Sequence, residues 1–443
     1  MTDRGSLSDR GTLAASTPLR IDHAAFREAV ADHYHPEKNP GGALPMNIAE
    51  NRLSWPELKA KLEEVARSEP IPPWVPGYTS TLGAPRFREA SALYLSTHLT
   101  ATPIDPGTLA HSAGATSVIE MTAFILAEAG DVAAIPAPCY PVYRRDLGNF
   151  AGIERHDLVT HHDPAEIAGG PVLSLDHLER ARHDIDAGRR RLRMLILTTP
   201  DNPTGGIYTE STLRDVAEWC MRNRVHLVVN EIYGLSLIDT RHPTIRDDYV
   251  SDVRFSSFAR IMAEARSDYL HLWYAYSKDL GISGLRVGLV HTHNQAFLDA
   301  YRSLNLTHAV SNHTQWLLGR VISDTDFMTG YVARNRERLT ESYATVVAGL
   351  RELGVPYVPS RGSLFVWIDL SEFLGEDSDA GELALWDDLF RSSGVLLTPG
   401  IGFGHSKRGL FRVVHPCVAP HELPVAMDRM REWVEAKRVG GGP

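Results

Sequence analysis

The stretch Ala275-Tyr276-Ser277-Lys278-Asp279-Leu280-Gly281-Ile282-Ser283-Gly284-Leu285-Arg286-Val287-Gly288 indicates the fold and the chemistry of this chain better than any other. Its single lysine, Lys278, follows an apolar run and opens a turn that contains glycine. Schiff-base chemistry with an aldehyde cofactor needs such a positioned, partly desolvated amine. Arg286 follows eight residues later, and its planar fork of donors suits a phosphate. Because the chain has 45 Lys and Arg residues, this spacing alone also fits an ordinary loop after a strand.

Composition limits the class of protein. A length of 443 residues allows two domains, and 43% hydrophobic with 23% charged residues is typical of a globular protein. The net charge of −10 argues against nucleic-acid binding, which needs a basic face. Cys139, Cys220 and Cys417 have no metal-site spacing and form no disulfide framework, so we expect a cytoplasmic protein without a metal. The polar residues 1–17 predict a disordered tail, neither a signal peptide nor a membrane span.

The middle of the chain alternates between strand-like and helical segments. This alternation predicts an α/β fold with a largely parallel sheet. The predicted segments are strands at 132–135, 194–198, 225–229 and 270–276, and helices at 117–128, 210–224 and 252–266.

Polar or aromatic side chains follow each of these four strands. They are Tyr140, Asn202, Asn230 with Tyr233, and Lys278. In open α/β sheets the reactive residues collect beyond the carboxyl ends of the strands. We therefore expect these five side chains to meet at one site.

The pattern changes after residue 312 to that of a smaller α+β domain. It predicts helices at 314–353, 383–392 and 422–436 and strands at 363–369, 395–397 and 410–414. We predict four parts: an N-terminal tail or arm at 1–45, a segment at 46–75 that joins the small domain, a large cofactor-binding domain at 76–311, and a small domain at 312–443.

Arg412 is a charged residue among apolar neighbours in a predicted strand. An edge-strand arginine that faces solvent would explain it. We favour the alternative, a partly buried guanidinium that binds a carboxylate in two-point fashion.

Several stretches together point to a known family. They are residues 48–53, 113–116, 136–146 and 310–315, and the strand around Arg412. The chain resembles the fold-type-I pyridoxal-phosphate enzymes of the class I/II aminotransferase superfamily and looks closest to their 1-aminocyclopropane-1-carboxylate synthase branch. The resemblance implies an aspartate aminotransferase-like fold, a mostly parallel sheet in a large domain with a smaller α+β domain. It also implies pyridoxal 5'-phosphate as the cofactor.

The resemblance assigns roles around the cofactor ring. Lys278 would form the Schiff base and carry the Cα proton. Tyr140 would stack on the pyridine ring, and Asn202 and Tyr233 would bind its hydroxyl oxygen. Asn230 would lie at the ring nitrogen.

The resemblance also assigns roles around the cofactor phosphate. Ala115, Thr116, Ser277 and Arg286 would hold the phosphate, and Tyr78 would reach the phosphate of a neighbouring subunit in a homodimer.

Arg412 would bind the α-carboxylate of an amino-acid substrate, with Ala49 and Glu50 beside it. No nucleic-acid or membrane partner is expected.

Three positions depart from the family pattern. Asn230 stands where the family has an aspartate whose charge keeps the pyridine nitrogen protonated. Glu231 is adjacent, but we expect it to point to the other face of its strand. Ala275 replaces a common phosphate-binding serine, and Cys139 replaces a tyrosine.

The function that the resemblance implies is removal of the Cα proton of an α-amino acid. S-adenosylmethionine is the expected substrate, with loss of its sulfonium group from Cγ by elimination or replacement. The product would be a cyclopropane, or a vinylglycine-type species captured by a second small molecule to form a carbon–carbon bond. The alternative is a plain aminotransferase that releases a 2-oxo acid. A third class, a non-catalytic cofactor-binding regulator, is disfavoured because Lys278 is present and no DNA-binding module is visible.

Overall fold

The computed structural model describes residues 6–16 and 20–440. Within this part of the chain we number fifteen α-helices and thirteen strands. The helices are α1 Asp9–Ser16, α2 His23–Ala31, α3 Trp55–Ser68, α4 Pro85–Tyr94, α5 Ala115–Leu126, α6 Tyr143–Gly148, α7 Leu175–Ala187, α8 Glu210–Asn223, α9 Ala259–Ala265, α10 Tyr276–Asp279, α11 Gln295–Leu304, α12 Asn312–Ile322, α13 Thr325–Leu353, α14 Asp379–Ser393 and α15 Glu422–Gly440. The strands are β1 Leu44–Pro45, β2 Leu109–Ser112, β3 Val132–Ala137, β4 Glu154–Val159, β5 Leu192–Thr198, β6 His226–Asn230, β7 Leu270–Ala275, β8 Gly288–Thr292, β9 Tyr357–Val358, β10 Phe365–Asp369, β11 Val395–Leu396, β12 Thr398–Pro399 and β13 Leu410–Val414.

The main sheet has the strand order β2-β8-β7-β6-β5-β3-β4. Every neighbouring pair is parallel except for those of β8, which runs antiparallel to both β2 and β7. Strands β6 and β7 are buried throughout, as expected for parallel strands that helices cover on both faces. The predicted largely parallel sheet is thus confirmed, and its four predicted strands β3, β5, β6 and β7 lie side by side.

A four-stranded antiparallel sheet, in the order β12-β13-β10-β9, lies beyond residue 353. The N-terminal strand β1 pairs in parallel with β11, so Leu44 lies opposite Val395. One hydrophobic core surrounds the main sheet and includes Leu58 and Leu62 of α3. A second core joins residues of α2 and β1 to residues 339–434. The division into domains at residues 45, 75 and 311 stays a prediction.

Two predicted helices differ from the structure by more than a few residues at their ends. The segment 252–266 is helical only in α9, because the Glu231 carboxylate accepts hydrogen bonds from the Phe258 amide at 2.5 Å and from the Ser257 hydroxyl at 2.7 Å, directly before the helix begins. The predicted helix 314–353 is two helices, α12 and α13. Asp324 lies between them and caps α13, because its Oδ1 accepts a hydrogen bond of 3.0 Å from the Phe327 amide.

The prediction of a disordered tail at residues 1–17 is wrong for residues 9–16, which form α1 with no buried side chain. Residues 1–5 and 17 lie outside the described residues. No helix within 6–16 and 20–440 is long and apolar enough to cross a membrane.

Candidate active site

A cavity of about 270 Å³ lies at the carboxyl ends of β5, β6 and β7. The structure brings twelve of the thirteen predicted site residues into its wall. They are Ala49, Glu50, Ala115, Thr116, Tyr140, Asn202, Asn230, Tyr233, Ser277, Lys278, Arg286 and Arg412.

Tyr78 is the predicted site residue that does not line this cavity. Its side chain is 98% exposed in the single chain. Its predicted contact with the site of a neighbouring subunit stays a prediction.

Lys278 lies in the short helix α10, directly after the buried strand β7. Its Nζ donates a hydrogen bond of 2.6 Å to the carbonyl oxygen of Ala49. Burial lowers the pKa of Lys278 to about 8, although the nearby Glu50 carboxylate acts in the opposite direction. With this pKa about a tenth of the amine is neutral at pH 7, and the neutral amine is both a nucleophile and a base.

The N-terminus of α5 forms a cradle for an anion. Ala115 and Thr116 open the helix, where free amides and the helix dipole favour negative charge. Arg286 faces them, and its Nη1 donates to the Ser283 carbonyl at 3.0 Å. Gly114 precedes the helix with a φ of 89°, and a Cβ atom there would lie 2.5 Å from Nη2 of Arg286. The close approach of the arginine to the helix end therefore requires glycine.

We expect Gly114→Ala to weaken the binding of pyridoxal phosphate about tenfold or more, because the new methyl group displaces Arg286 from its charge-assisted contact. Gly130→Ala is the matched control. Gly130 has a similar φ of 87°, but a Cβ atom added there would have no atom within 4 Å among the described residues. Equilibrium titration of the two variants with the cofactor, followed by absorbance, measures the difference. Equal affinities would contradict the role given to Arg286.

Arg412 is held in a buried position by β13. Its Nη1 donates to Asn202 Oδ1 at 3.0 Å, and its Nη2 donates to the Asn47 carbonyl at 3.1 Å and to Thr398 Oγ1 at 3.2 Å. The guanidinium also stacks 4.5 Å from the ring centre of Phe365. Burial lowers the pKa of Arg412 to about 10, so the side chain remains charged at neutral pH. Among the described residues, no hydrogen-bond partner lies at its buried Nε.

Two tyrosines, Tyr140 and Tyr233, line the cavity. Asn202 Nδ2 donates to the Tyr233 hydroxyl at 3.4 Å, which places these side chains together as predicted. Tyr140 packs edge-on against Tyr143, with ring centres 5.3 Å apart. Burial raises the pKa of both Tyr140 and Tyr233, so both phenols are protonated at neutral pH.

Asn230 is held by hydrogen bonds at the end of β6. Its Nδ2 donates to the Tyr143 hydroxyl at 2.9 Å, and its Oδ1 accepts from the Ile232 amide at 3.2 Å. Glu231 points away from the cavity, where it binds Ser257 and Phe258. The expected alternation of side chains along the strand is confirmed.

The sequence did not identify several side chains of the cavity. They are Arg20, Ile48, Ile119, Tyr143, Asp146, Thr198, Ile232 and Ser283. Of these residues, Ser283 carries a signal in the sequence, because it lies in the loop between Lys278 and Arg286, and it lines the cavity. Ala275, in contrast, is fully buried and has no hydroxyl to offer.

Arg20 carries no sequence signal, because it lies in a short polar stretch far from the strand ends. Its Nη2 donates to the Asn47 carbonyl at 3.2 Å, the same oxygen that Arg412 binds. Its Nε donates to Asp22 at 2.9 Å. Two guanidinium groups therefore lie next to each other at one end of the cavity.

The charges of the cavity favour an anionic ligand. Four cationic side chains and two acidic ones from the described part of the chain line it. The reactive amine, the anion cradle and the half-buried aromatic ring of Tyr140 together fit pyridoxal phosphate, which has an aldehyde, a phosphate and a flat ring.

Residues 45–430 match the model of a protein family described as aminotransferase class I and II. The chain belongs to this family. It is 30% identical to 1-aminocyclopropane-1-carboxylate synthase 7 of Arabidopsis thaliana, over 98% of this chain and 95% of the relative. It is 33% identical to 1-aminocyclopropane-1-carboxylate synthase 4 of Oryza sativa subsp. japonica, over 97% and 90% of the two chains.

Solved structures of aminotransferases share the fold. The aspartate aminotransferase of Thermus thermophilus with maleate superposes with a TM-score of 0.76 at 20% identity, covering 96% of this chain and 99% of that one. The aromatic aminotransferase of Pyrococcus horikoshii OT3 gives a TM-score of 0.74 at 20% identity, covering 89% and 96%. The protein is thus a pyridoxal-phosphate-dependent enzyme of the class I/II aminotransferase superfamily with the aspartate aminotransferase-like fold. The resemblance found in the sequence is confirmed.

Proposed function

We propose that the enzyme removes the Cα proton of S-adenosylmethionine and expels methylthioadenosine from Cγ. The observation that carries this proposal is the meeting of Lys278 and Arg412 at one cavity, in a chain about 30% identical to 1-aminocyclopropane-1-carboxylate synthases over nearly its whole length. Glu50 supports the substrate assignment, because a carboxylate at the cavity complements the positive charge of a sulfonium group.

The chain positions the substrate with Arg412. Its fixed guanidinium would bind the α-carboxylate in two-point fashion, and its contact with Asn202 holds that fork in place. The Lys278 amine would take the proton from Cα. Its hydrogen bond to the Ala49 carbonyl, in a cavity that Arg412 also lines, supports this role.

The remaining wall residues would hold the cofactor. Thr116, Ser277 and Arg286 would bind its phosphate, with Ser283 as a further hydroxyl, and Tyr140 would cover its ring. Bound pyridoxal phosphate supplies the electron sink for the negative charge that develops at Cα. Asn202 and Tyr233 would hold the ring hydroxyl oxygen.

A homodimer would complete the site. The Tyr78 side chain is exposed and does not line the cavity of its own chain. Tyr78 of the partner subunit would reach the cofactor phosphate across a two-fold interface.

Loss of methylthioadenosine leaves two outcomes for the four-carbon fragment. It closes to a cyclopropane, or it remains as a vinylglycine-type species that a second small molecule captures. The second outcome would make the enzyme a carbon–carbon bond-forming catalyst of natural-product biosynthesis.

Transamination is the second candidate function, and Arg20 favours it. A second guanidinium beside Arg412 would suit an amino acid that carries another acidic group, if that group took the place of Asp22, which Arg20 binds at two points. Such a reaction would end with a 2-oxo acid and the amino form of the cofactor.

A substrate panel separates these functions. The purified holoenzyme is incubated with S-adenosylmethionine, aspartate, glutamate and neutral amino acids, and the products are identified by mass spectrometry. We expect methylthioadenosine to appear with S-adenosylmethionine in amounts that exceed the enzyme concentration. A 2-oxo acid and pyridoxamine phosphate, formed without methylthioadenosine, would contradict the proposal and favour transamination.

A further inference from the structure

The neutral side chain of Asn230 raises the question of which group provides negative charge near the cofactor ring. Glu231 cannot do so, because it faces the other side of its strand. Asp201 and Asp279, which follow β5 and β7, also lie outside the cavity wall. Each of these three carboxylates accepts a hydrogen bond of 2.6–2.7 Å from a buried hydroxyl.

Asp146 is different from these three residues. It lines the cavity and is only 4% exposed, yet its buried Oδ2 has no hydrogen-bond partner within residues 6–16 and 20–440. A buried polar atom without a partner is costly, so it normally indicates a missing ligand or a solvent molecule. Burial, followed by the nearby Glu120, raises the pKa of Asp146 to about 7, and a cation bound beside this carboxyl would lower that pKa again and keep it ionised.

The helix α6 places Asp146 in the same cavity wall as Tyr143, the residue whose hydroxyl binds Asn230. Asp146 follows Tyr143 by three residues, so the two side chains share one face of α6. The Tyr143 hydroxyl contacts both Asn230 Nδ2 at 2.9 Å and Thr198 Oγ1 at 3.1 Å. These contacts lie at the ends of β5 and β6, where the family keeps its ring-nitrogen partner. The phosphate cradle is formed separately by α5 and Arg286.

We propose that Asp146 supplies the negative charge that keeps the pyridine nitrogen of bound pyridoxal phosphate protonated. A carboxylate and a pyridinium in one protein cavity stabilise each other, because the effective dielectric constant there is below that of water. The unpartnered carboxyl oxygen of Asp146 and the uncharged amide of Asn230 are then two parts of one arrangement, in which α6 carries the charge and β6 does not. This inference requires only the bound cofactor, and it is independent of the substrate.

The test uses holoenzyme reconstituted with pyridoxal phosphate labelled with ¹⁵N in the ring. We expect the nitrogen resonance of the wild-type protein at the position of a protonated pyridine at pH 7. In Asp146→Asn, the pKa of the ring nitrogen falls by at least about one unit, a tenfold loss of proton affinity. An unchanged ring-nitrogen pKa in Asp146→Asn, or an unprotonated nitrogen in the wild-type protein, would overturn the proposal.

A rescue variant and a matched control separate charge from structure. In the double variant of Asp146→Asn with Asn230→Asp, a charge returns from β6, so we expect the nitrogen to be protonated again. Failure of this rescue would mean that Asp146 acts by shaping the cavity, which would overturn the proposal.

Glu120→Gln is the matched control. It removes a neighbouring carboxylate that repels Asp146, so the ring-nitrogen pKa should stay the same or rise. A fall as large as that of Asp146→Asn would count against the assignment.

The melting temperature of the apoprotein checks that Asp146→Asn does not act by unfolding the protein. Asparagine is close in shape to aspartate, and the substitution removes a buried carboxyl whose Oδ2 has no partner among the described residues. We therefore expect an unchanged or higher melting temperature of the apoprotein.

Discussion

Lys278→Ala lowers turnover of the accepted amino acid by about 10⁴-fold or more, because one amine provides both the attachment point for the cofactor and the base that takes the Cα proton. The structure gives Lys278 no substitute, since no other lysine lines the cavity within the part of the chain that is described. The measurement is the initial rate of product formation at saturating cofactor. Addition of a small primary amine to the assay should restore a detectable fraction of the rate.

Lys59→Ala is the control for this prediction. Lys59 lies on α3 with a 56% exposed side chain that pairs with Glu63 at 3.6 Å. We expect its rate to remain within about twofold of the wild-type rate, because an exposed ion pair contributes little to stability. A Lys278→Ala protein with more than a tenth of wild-type turnover would contradict the role of Lys278.

Arg412→Lys is expected to lower kcat/KM by about 10²- to 10³-fold, which corresponds to about 3–4 kcal/mol of lost binding. A lysine keeps the charge but loses the planar fork, and it cannot satisfy Asn202, Asn47 and Thr398 together with a substrate carboxylate. The loss should fall mainly on KM, while the affinity for pyridoxal phosphate stays within about threefold, because Arg412 donates its hydrogen bonds to Asn202, Asn47 and Thr398 and to no residue of the phosphate cradle among the described residues.

Arg361→Lys provides the matched control for Arg412→Lys. Arg361 is also a buried arginine, 4% exposed, and its guanidinium lies 5.0 Å from the ring centre of Tyr249. Arg361 lines a surface groove that is separate from the cavity that contains Lys278. The two variants therefore carry a similar structural cost, but only Arg412→Lys should change KM for the amino acid. Equal changes in KM would contradict the assignment of Arg412.

Much of the fold and the site could be predicted because parallel strands leave local signals. Strands β3, β5, β6 and β7 are short apolar runs, and the residues after each of them carry the chemistry. The strand β4 has no such signal, since its sequence Glu154–Val159 is mostly polar and forms the edge of the sheet. Strand β8 follows the Arg286 loop directly and depends on antiparallel pairing with β2 and β7.

The features that the sequence did not indicate depend on contacts between distant residues. The start of α9 is set by Glu231, which lies 27 residues earlier than Phe258. Arg20 reaches the cavity only because the N-terminal segment packs beside Asn47. Asp146 belongs to a stretch that resembles the family, but the unsatisfied state of its Oδ2 among the described residues becomes visible only when its surroundings are known.

Reductive trapping tests the central claim most directly. The freshly isolated protein is treated with sodium borohydride, digested, and mapped by mass spectrometry for lysines that carry a reduced pyridoxyl phosphate group. The account predicts this modification on Lys278 and on no other lysine, and its absence when the cofactor is first removed. An unmodified Lys278 in protein that contains the cofactor, or a modification at another lysine, would contradict it.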